Sequence, residues 1–225
     1  MSAAALSLVA VNAGLGEPSS TRLLVDRLVD AVTGELADSP ITVDVTIVDL
    51  RDLVVDIGRS LASGFAVGAV REAVESVQAA DSLIAATPVF NASYSGLFKS
   101  FFDLVDVDRM EGKPVLIAAT GGSPRHSMVL DHAMRPLFSY LRAVVVPTVV
   151  YAAAEDWAGT SGDTALLSER VRRAARELVT ALRVGSAPAP AEVTRAVTAP
   201  RSDARDTAAE AAGIANFARL LGESA

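Results

Sequence analysis

The sequence predicts an α/β fold: a doubly wound parallel sheet of five strands with helices on both faces, followed by a C-terminal tail. Three observations carry this. Short, almost wholly apolar runs at residues 6–11, 83–87 and 114–120 lack the alternation of a one-sided sheet, as strands buried on both faces do. Segments with apolar residues every three or four positions separate them, and strands that alternate with helices pair in parallel. The chain, with 225 residues of which 51% are hydrophobic and 21% charged, is long enough for one well-buried core and a modest extension.

The elements follow in order. Residues 6–11 form the first strand, and a glycine-containing loop, 14–20, leads from it into a helix over 21–33 with Leu24, Leu28 and Val32 on one stripe. In residues 41–50, Val43, Val45 and Ile47 alternate with Thr42, Asp44 and Thr46, the pattern of a half-exposed or edge strand. The alanine-rich segment 62–80 contains a helix with Val67, Val70, Val74 and Val77 on its core side. Residues 83–87 are the third strand, and a helix over about 95–107 follows. The fourth strand is 114–120. Residues 126–142 read as helical, and 144–151 as a fifth strand that tolerates Pro147 only at an edge or bulge. A helix over about 163–183 closes the domain. Right-handed crossovers leave few topologies for this order, and the flavodoxin-like strand order 2-1-3-4-5 is the expectation.

Beyond Gly185 the composition changes. The domain is expected to span 1–185, and 186–225 to form an appendage: a semi-extended linker, Ser186-Ala187-Pro188-Ala189-Pro190-Ala191, and a short helix over 208–221 with Ile214, Phe217, Leu220 and Leu221 on one side. That stripe reads either as a docking face or as part of a frayed alanine-rich tail. The net charge of −7, with no basic concentration, argues against nucleic acid as a partner. The absence of cysteine removes disulfide scaffolds, thiolate nucleophiles and cysteine-held metals, and fits a reducing compartment. No basic n-region precedes the first apolar run and no run is long enough to span a bilayer, so the expectation is a cytoplasmic protein without a membrane partner.

Three segments carry candidate chemistry, each at the carboxyl end of an expected strand, where open α/β sheets bind ligands. In the first, Gly14-Leu15-Gly16-Glu17-Pro18-Ser19 begins like a dinucleotide fingerprint but has serine at the third glycine. Ser19, Ser20, Thr21 and Arg22 open a helix, and their hydroxyls, free N–H groups and the helix dipole suit a terminal phosphate dianion, or form a plain N-cap. In the second, Pro88 ends the strand, Val89 precedes Phe90, Phe90 and Tyr94 offer flat faces, and Asn91 offers both a donor and an acceptor; Ser93 and Ser95 also suit a helix cap. In the third, Thr120-Gly121-Gly122-Ser123 lets backbone N–H groups approach a planar ligand, and Arg125 and His126 suit a phosphate or a polar helix start. Asp49, Asp52 and Asp56 read as solvated loop charges. His126 and His132, six apart, do not share a helical face as zinc ligands do, and no serine sits in a Gly-x-Ser-x-Gly elbow. No residue is expected to act as a catalytic acid, base or nucleophile, and none as a metal ligand.

The run Pro88-Val89-Phe90-Asn91-Ala92-Ser93-Tyr94-Ser95-Gly96-Leu97-Phe98-Lys99 resembles the Pro-aromatic-Asn-x-Ser-x-Ser-Gly-x-x-Lys signature of the NADPH-dependent FMN reductase family. The resemblance extends over about residues 5–185. It implies an oxidoreductase that passes a hydride from NADPH to FMN. It implies further that the first loop holds the 5′-phosphate, that the second meets the ring, that Gly121 and Gly122 lie over the flavin, and that Arg125 and His126 meet the NADPH 2′-phosphate. With the segment 131–137 and the tail, the chain looks like the subgroup that serves luciferase-like flavin monooxygenases. Such reductases are homodimers or homotetramers, for which Phe98, Phe101 and Phe102 are a candidate contact or simply core. The alternatives are a quinone or azo reductase that retains FMN, and a non-catalytic flavodoxin-like carrier.

Overall fold

A computed structural model of the chain describes residues 5–158 and 166–185. Among them, seven strands form one sheet. β1 (Ala5–Asn12), β2 (Thr42–Asp49), β3 (Ser82–Phe90), β5 (Pro114–Gly121) and β6 (Val144–Val145) lie in the order β2-β1-β3-β5-β6, all parallel. β7 (Val150–Ala153) also pairs with β5, and β4 (Ser93–Tyr94) pairs antiparallel with the end of β3. The expected order 2-1-3-4-5 therefore holds, with the fifth strand in two pieces. The break falls at Pro147, which cannot donate to the ladder. Glu177 fills the gap, accepting from the Thr148 backbone N–H at 2.6 Å and from its hydroxyl at 2.7 Å.

Alternate side chains of the buried strands divide two cores. Leu8, Ala10, Ile84, Ala86, Leu116 and Ala118 face α1 (Ser20–Leu36) and α7 (Leu167–Gly185). Val9, Val11, Leu83, Ala85, Val115 and Ile117 face α2 (Val54–Ser63), α3 (Gly68–Ala79), α4 (Gly96–Phe102) and α5 (Arg135–Tyr140). On the first face α6 (Ala154–Ala158) brings Trp157 beneath the Arg27 guanidinium, 4.7 Å from the ring centroid. On the second, Phe98, Phe101, Phe102 and Phe138 are buried, with the Phe98 and Phe102 rings 4.7 Å apart and those of Phe102 and Phe138 5.0 Å apart. These phenylalanines are core and not a subunit contact.

Several expected boundaries move. α2 falls where only loop charges were read; Val54, Ile57 and Leu61 recur at helical spacing there, but of these only Ile57 is buried. The helix expected within 62–80 starts at Gly68, with Val67 as its half-buried N-cap. α4 stops at Phe102 instead of running to Val107. The 126–142 segment is three pieces: a 3-10 turn at Pro124–His126, a π-helical turn at Leu130–Met134, and α5. Pro136 accounts for the wide turn, because it supplies no N–H to the carbonyl four residues earlier. The start of the last helix expected at Asp163 lies outside the described residues, as do the linker 186–191 and the helix expected over 208–221. Among the described residues no single helix is long and apolar enough to cross a membrane.

Away from the ligand end of the sheet, Lys113 is buried and its ammonium donates to the carbonyls of Val77 (2.9 Å), Gln78 (2.9 Å) and Ala80 (2.6 Å), closing the C-terminal end of α3. Replacement by methionine strands these acceptors and is expected to cost about 2–3 kcal/mol, read by denaturant unfolding. Burial lowers the Lys113 pKa to about 8, against the pull of Asp81. The unfolded chain then holds a proton that the folded chain has lost, from about pH 8 up to the ordinary lysine range. Wild-type stability should rise relative to Lys113→Met across that window, and be lowest relative to it below pH 8.

Candidate active site

The strand order reverses between β1 and β3, so the loops after these strands diverge and leave a crevice at the carboxyl edge. Backbone hydrogen bonding keeps the two strands together to the rim, with the Ala13 N–H donating to the Ala86 carbonyl at 2.9 Å.

The first loop is built around buried Asn12. Its side-chain oxygen accepts from the Gly14 N–H at 3.0 Å and its amide donates to Asp49 at 2.7 Å. Gly14 is required here: an added Cβ would stand 2.1 Å from the Ser19 hydroxyl and 3.1 Å from the Asn12 carboxamide oxygen. Ser19 caps α1, its hydroxyl accepting from the Arg22 N–H at 3.2 Å, and Ser20 stands exposed as the first helical residue. Thr21 is buried, and its hydroxyl is 2.7 Å from that of Thr120 at the end of β5, so the first and third loops are joined. Arg22 turns along the helix to Asp26 (2.9 Å) and across to Asp49; Asp26 first, then Asp49, raise its pKa against the effect of burial. Asp49 is thus a structural partner and not a solvated loop charge. Asp56 pairs with Arg59, and Arg51 pairs with Glu17 at 2.9 Å. The first loop borders a cavity of about 440 Å³ whose charged lining is Glu17, Asp26, Asp49 and Asp52 against Arg22 and Arg51.

The second loop is a hairpin instead of an irregular connection. Val89 pairs with Tyr94 and Phe90 with Ser93, and the turn residues Asn91 and Ala92 have φ of 48° and 63°, as a two-residue type I′ turn requires. Asn91 adopts this region readily, whereas Ala92 is strained. The turn leaves Asn91 and Phe90 exposed, and Pro88 and Val89 half-buried. Tyr94 packs inward on Phe98, the ring centroids 5.8 Å apart. Ser95 is committed to structure: its hydroxyl caps α4 through the Phe98 N–H, and its own N–H donates to Thr87.

In the third loop Gly121 is needed for a different reason from the expected one. The space beside it is taken by Tyr151, whose hydroxyl oxygen would lie 2.1 Å from an added Cβ. Gly122 is exposed, with nothing within 4 Å of its missing Cβ, and has the open face that a planar ligand needs. Ser123 caps the short turn through the Arg125 N–H. Arg125 and His126 are exposed, and among the described residues Arg125 has no acidic partner. Each loop region also displays one exposed apolar side chain, Leu15, Phe90 and Met128. Among the described residues the three loop ends thus present hydroxyls and backbone N–H groups, exposed apolar side chains and, in Arg125, a cation without an acidic partner, groups that can meet a phosphate and a flat apolar surface.

Residues 6–158 match the family described as NADPH-dependent FMN reductase. The chain belongs to that family. It is accordingly an oxidoreductase, with FMN and NADPH as its ligands. It is 38% identical over 168 residues to the FMN reductase (NADPH) of Pseudomonas aeruginosa, covering 75% of this chain and 88% of the relative. It is 38% identical over 170 residues to the NADH-dependent FMN reductase SfnF of Pseudomonas fluorescens, covering 76% and 88%. Among solved structures, an oxidoreductase from Corynebacterium diphtheriae superposes with a TM-score of 0.75 at 44% identity, covering 80% of this chain and 97% of the other.

Asn12, Asp49 and Tyr151 are the residues that the sequence reading missed as parts of the site. Asn12 carried a signal, a polar side chain closing the apolar run 8–11 two residues before Gly14. Asp49 and Tyr151 depend on pairing between elements far apart in sequence, which no local pattern reports.

Proposed function

We propose that this flavin reductase binds FMN across the three loops, takes the hydride from NADPH above the ring, and releases the reduced flavin to a luciferase-like monooxygenase. The observation that carries the reading is the joining of the first and third loops through Thr21 and Thr120 beside the helix start. Bound FMN supplies the two-electron acceptor for the nicotinamide hydride. The chain's residues bind and orient. Ser19 and Ser20, with the free N–H groups of the first turn of α1, hold the 5′-phosphate, while Thr21 anchors that turn through Thr120. Arg22, already engaged by Asp26 and Asp49, contributes its field only. Pro88, Val89 and Phe90 bound the ring, Asn91 meets the pyrimidine edge, and Ser95 fixes the helix behind them. Gly121, Gly122 and Ser123 bring backbone donors to the edge where negative charge develops on reduction. Arg125 and His126 take the NADPH 2′-phosphate.

The charge balance of the first-loop cavity supports a flavin that exchanges. Both of its arginines are paired and its acids outnumber them, so neutral donors carry the phosphate. Passage over gel filtration is expected to strip FMN from the protein, and addition of FMN to restore turnover; flavin that stays bound through the column favours a reductase with resident FMN. Arg125→Ala is expected to raise the KM for NADPH about tenfold and leave that for NADH unchanged, since one charge-assisted phosphate contact is lost. Equal changes would remove Arg125 from the 2′-phosphate site.

This reading places the enzyme in the cytoplasm, where NADPH is regenerated, as a homodimer or homotetramer. Exposed Val54, Val55, Leu61 and Phe65 on α2 and the turn after it support a self-association face. Sedimentation of Val55→Asp with Phe65→Asp tests it, with monomer as the expected result.

A further inference from the structure

Tyr151 stands on β7 opposite Ala119 of β5, 5% exposed among the side chains on the α2–α5 face. Its hydroxyl passes the end of β5 and donates to the Ser123 carbonyl at 2.7 Å. That hydroxyl also fills the space beside Gly121, where an added Cβ would be 2.1 Å from the phenol oxygen and 3.2 Å from the ring carbon that bears it. One phenol thus brackets the Gly121–Ser123 backbone from the side and from the far end. Its own backbone is anchored: Arg170 of α7 donates to the Tyr151 carbonyl and to Asp156, and Asp156 accepts from the Ala153 N–H at 2.8 Å. Burial, and then the charge of Asp156, raise the Tyr151 pKa, so the phenol remains a donor throughout the neutral range.

We propose that Tyr151 is a positioning residue for the flavin, holding the Gly122 and Ser123 backbone donors of the third loop at the height that meets the pyrimidine edge. The proposal rests on the reading of the crevice as an FMN site. The space where a Gly122 side chain would stand is open, and the phenol holds the next residue of the loop by its carbonyl, so the placement of this backbone passes through Ser123 to Tyr151. Donors held in place before reduction stabilise the reduced flavin's charge without reorganising, whereas a loop free to drift loses that advantage. Gly121 belongs to the same device, because only glycine leaves room for the hydroxyl.

The test uses the full chain as Tyr151→Phe, Gly121→Ala and the double variant, read by FMN fluorescence titration, the two-electron midpoint potential of bound FMN, and thermal unfolding. Tyr151→Phe is expected to raise the FMN dissociation constant about tenfold, the loss of one well-placed contact. It should also make the midpoint potential more negative and lower kcat while the KM for NADPH stays put. Gly121→Ala should reproduce this from the other side by displacing the phenol. The double variant should be no worse than the worse single variant, because both remove one arrangement. Wild-type affinity and potential in Tyr151→Phe, with or without a lower Tm, overturn the proposal alone, as do additive losses in the double variant. Wild-type protein that binds no FMN overturns the reading of the crevice, and this proposal with it.

Discussion

Gly14→Ala is expected to lose FMN binding by about a hundredfold or more, the combined cost of a displaced loop and a broken phosphate contact set. The new methyl group meets Ser19 at 2.1 Å, the Thr21 Cβ at 3.0 Å and the Asn12 oxygen at 3.1 Å, so it has no direction in which to relax. Ser19 is the least constrained of the three and must leave. The first turn of α1 then loses its cap, which costs about 1 kcal/mol, and its N–H groups no longer converge on one point. The sheet is untouched, so the circular dichroism spectrum should match wild type and the Tm should fall by only a few degrees. Fluorescence titration with FMN and with riboflavin separates the causes. Loss confined to FMN locates the phosphate in this loop, and an equal loss of riboflavin means that the loop serves the ring instead.

Thr21→Val is expected to destabilise the protein by about 1–3 kcal/mol, because it strands the buried Thr120 hydroxyl without a partner. Thr120→Val should cost about the same. The double variant should recover most of the loss, since two apolar groups of matching shape leave no unpaired polar atom. Urea unfolding of the four proteins gives the coupling energy. Additive losses would mean that the 2.7 Å contact contributes nothing specific to joining helix and sheet. The double variant also separates stability from function: its FMN affinity should stay near wild type if Thr21 acts only as an anchor, and fall if the hydroxyl itself reaches the phosphate.

The sheet was legible because its central strands are buried on both faces and so spell out as uninterrupted apolar runs; Leu83-Ile84-Ala85-Ala86 and Val115-Leu116-Ile117-Ala118-Ala119 allow little else. The half-exposed edge strand was equally plain, since Val43, Val45 and Ile47 alternate with polar residues. One helix was not read although Val54, Ile57 and Leu61 recur at helical spacing, since the run is short and interrupted by Gly58. α2 contributes Ile57 to the core, and its remaining apolar residues, Val54, Val55 and Leu61, face outward. The π-helical turn before Pro136 was hidden for another reason: a periodicity of 3.6 residues and one slightly wider differ by less than a single turn reveals. At the site, residue types were readable and their partners were not. Ser19 and Ser95 were identified as possible caps, and both are caps. Gly121 was read from its place beside the ligand, and the need for glycine there also comes from Tyr151, thirty positions later, whose phenol fills the space of a side chain. Arg22 was assigned to the phosphate, whereas Asp26 and Asp49 hold its guanidinium.

The central claim is that this crevice reduces exchangeable FMN with NADPH. Anaerobic oxidation of NADPH, followed by loss of the nicotinamide absorbance with FMN added or omitted, tests it most directly. The account predicts no turnover without FMN, and with FMN one NADPH consumed for each flavin bleached, the reduced flavin passing freely through a membrane that retains the protein. NADPH left unoxidised by protein that demonstrably binds FMN would contradict it.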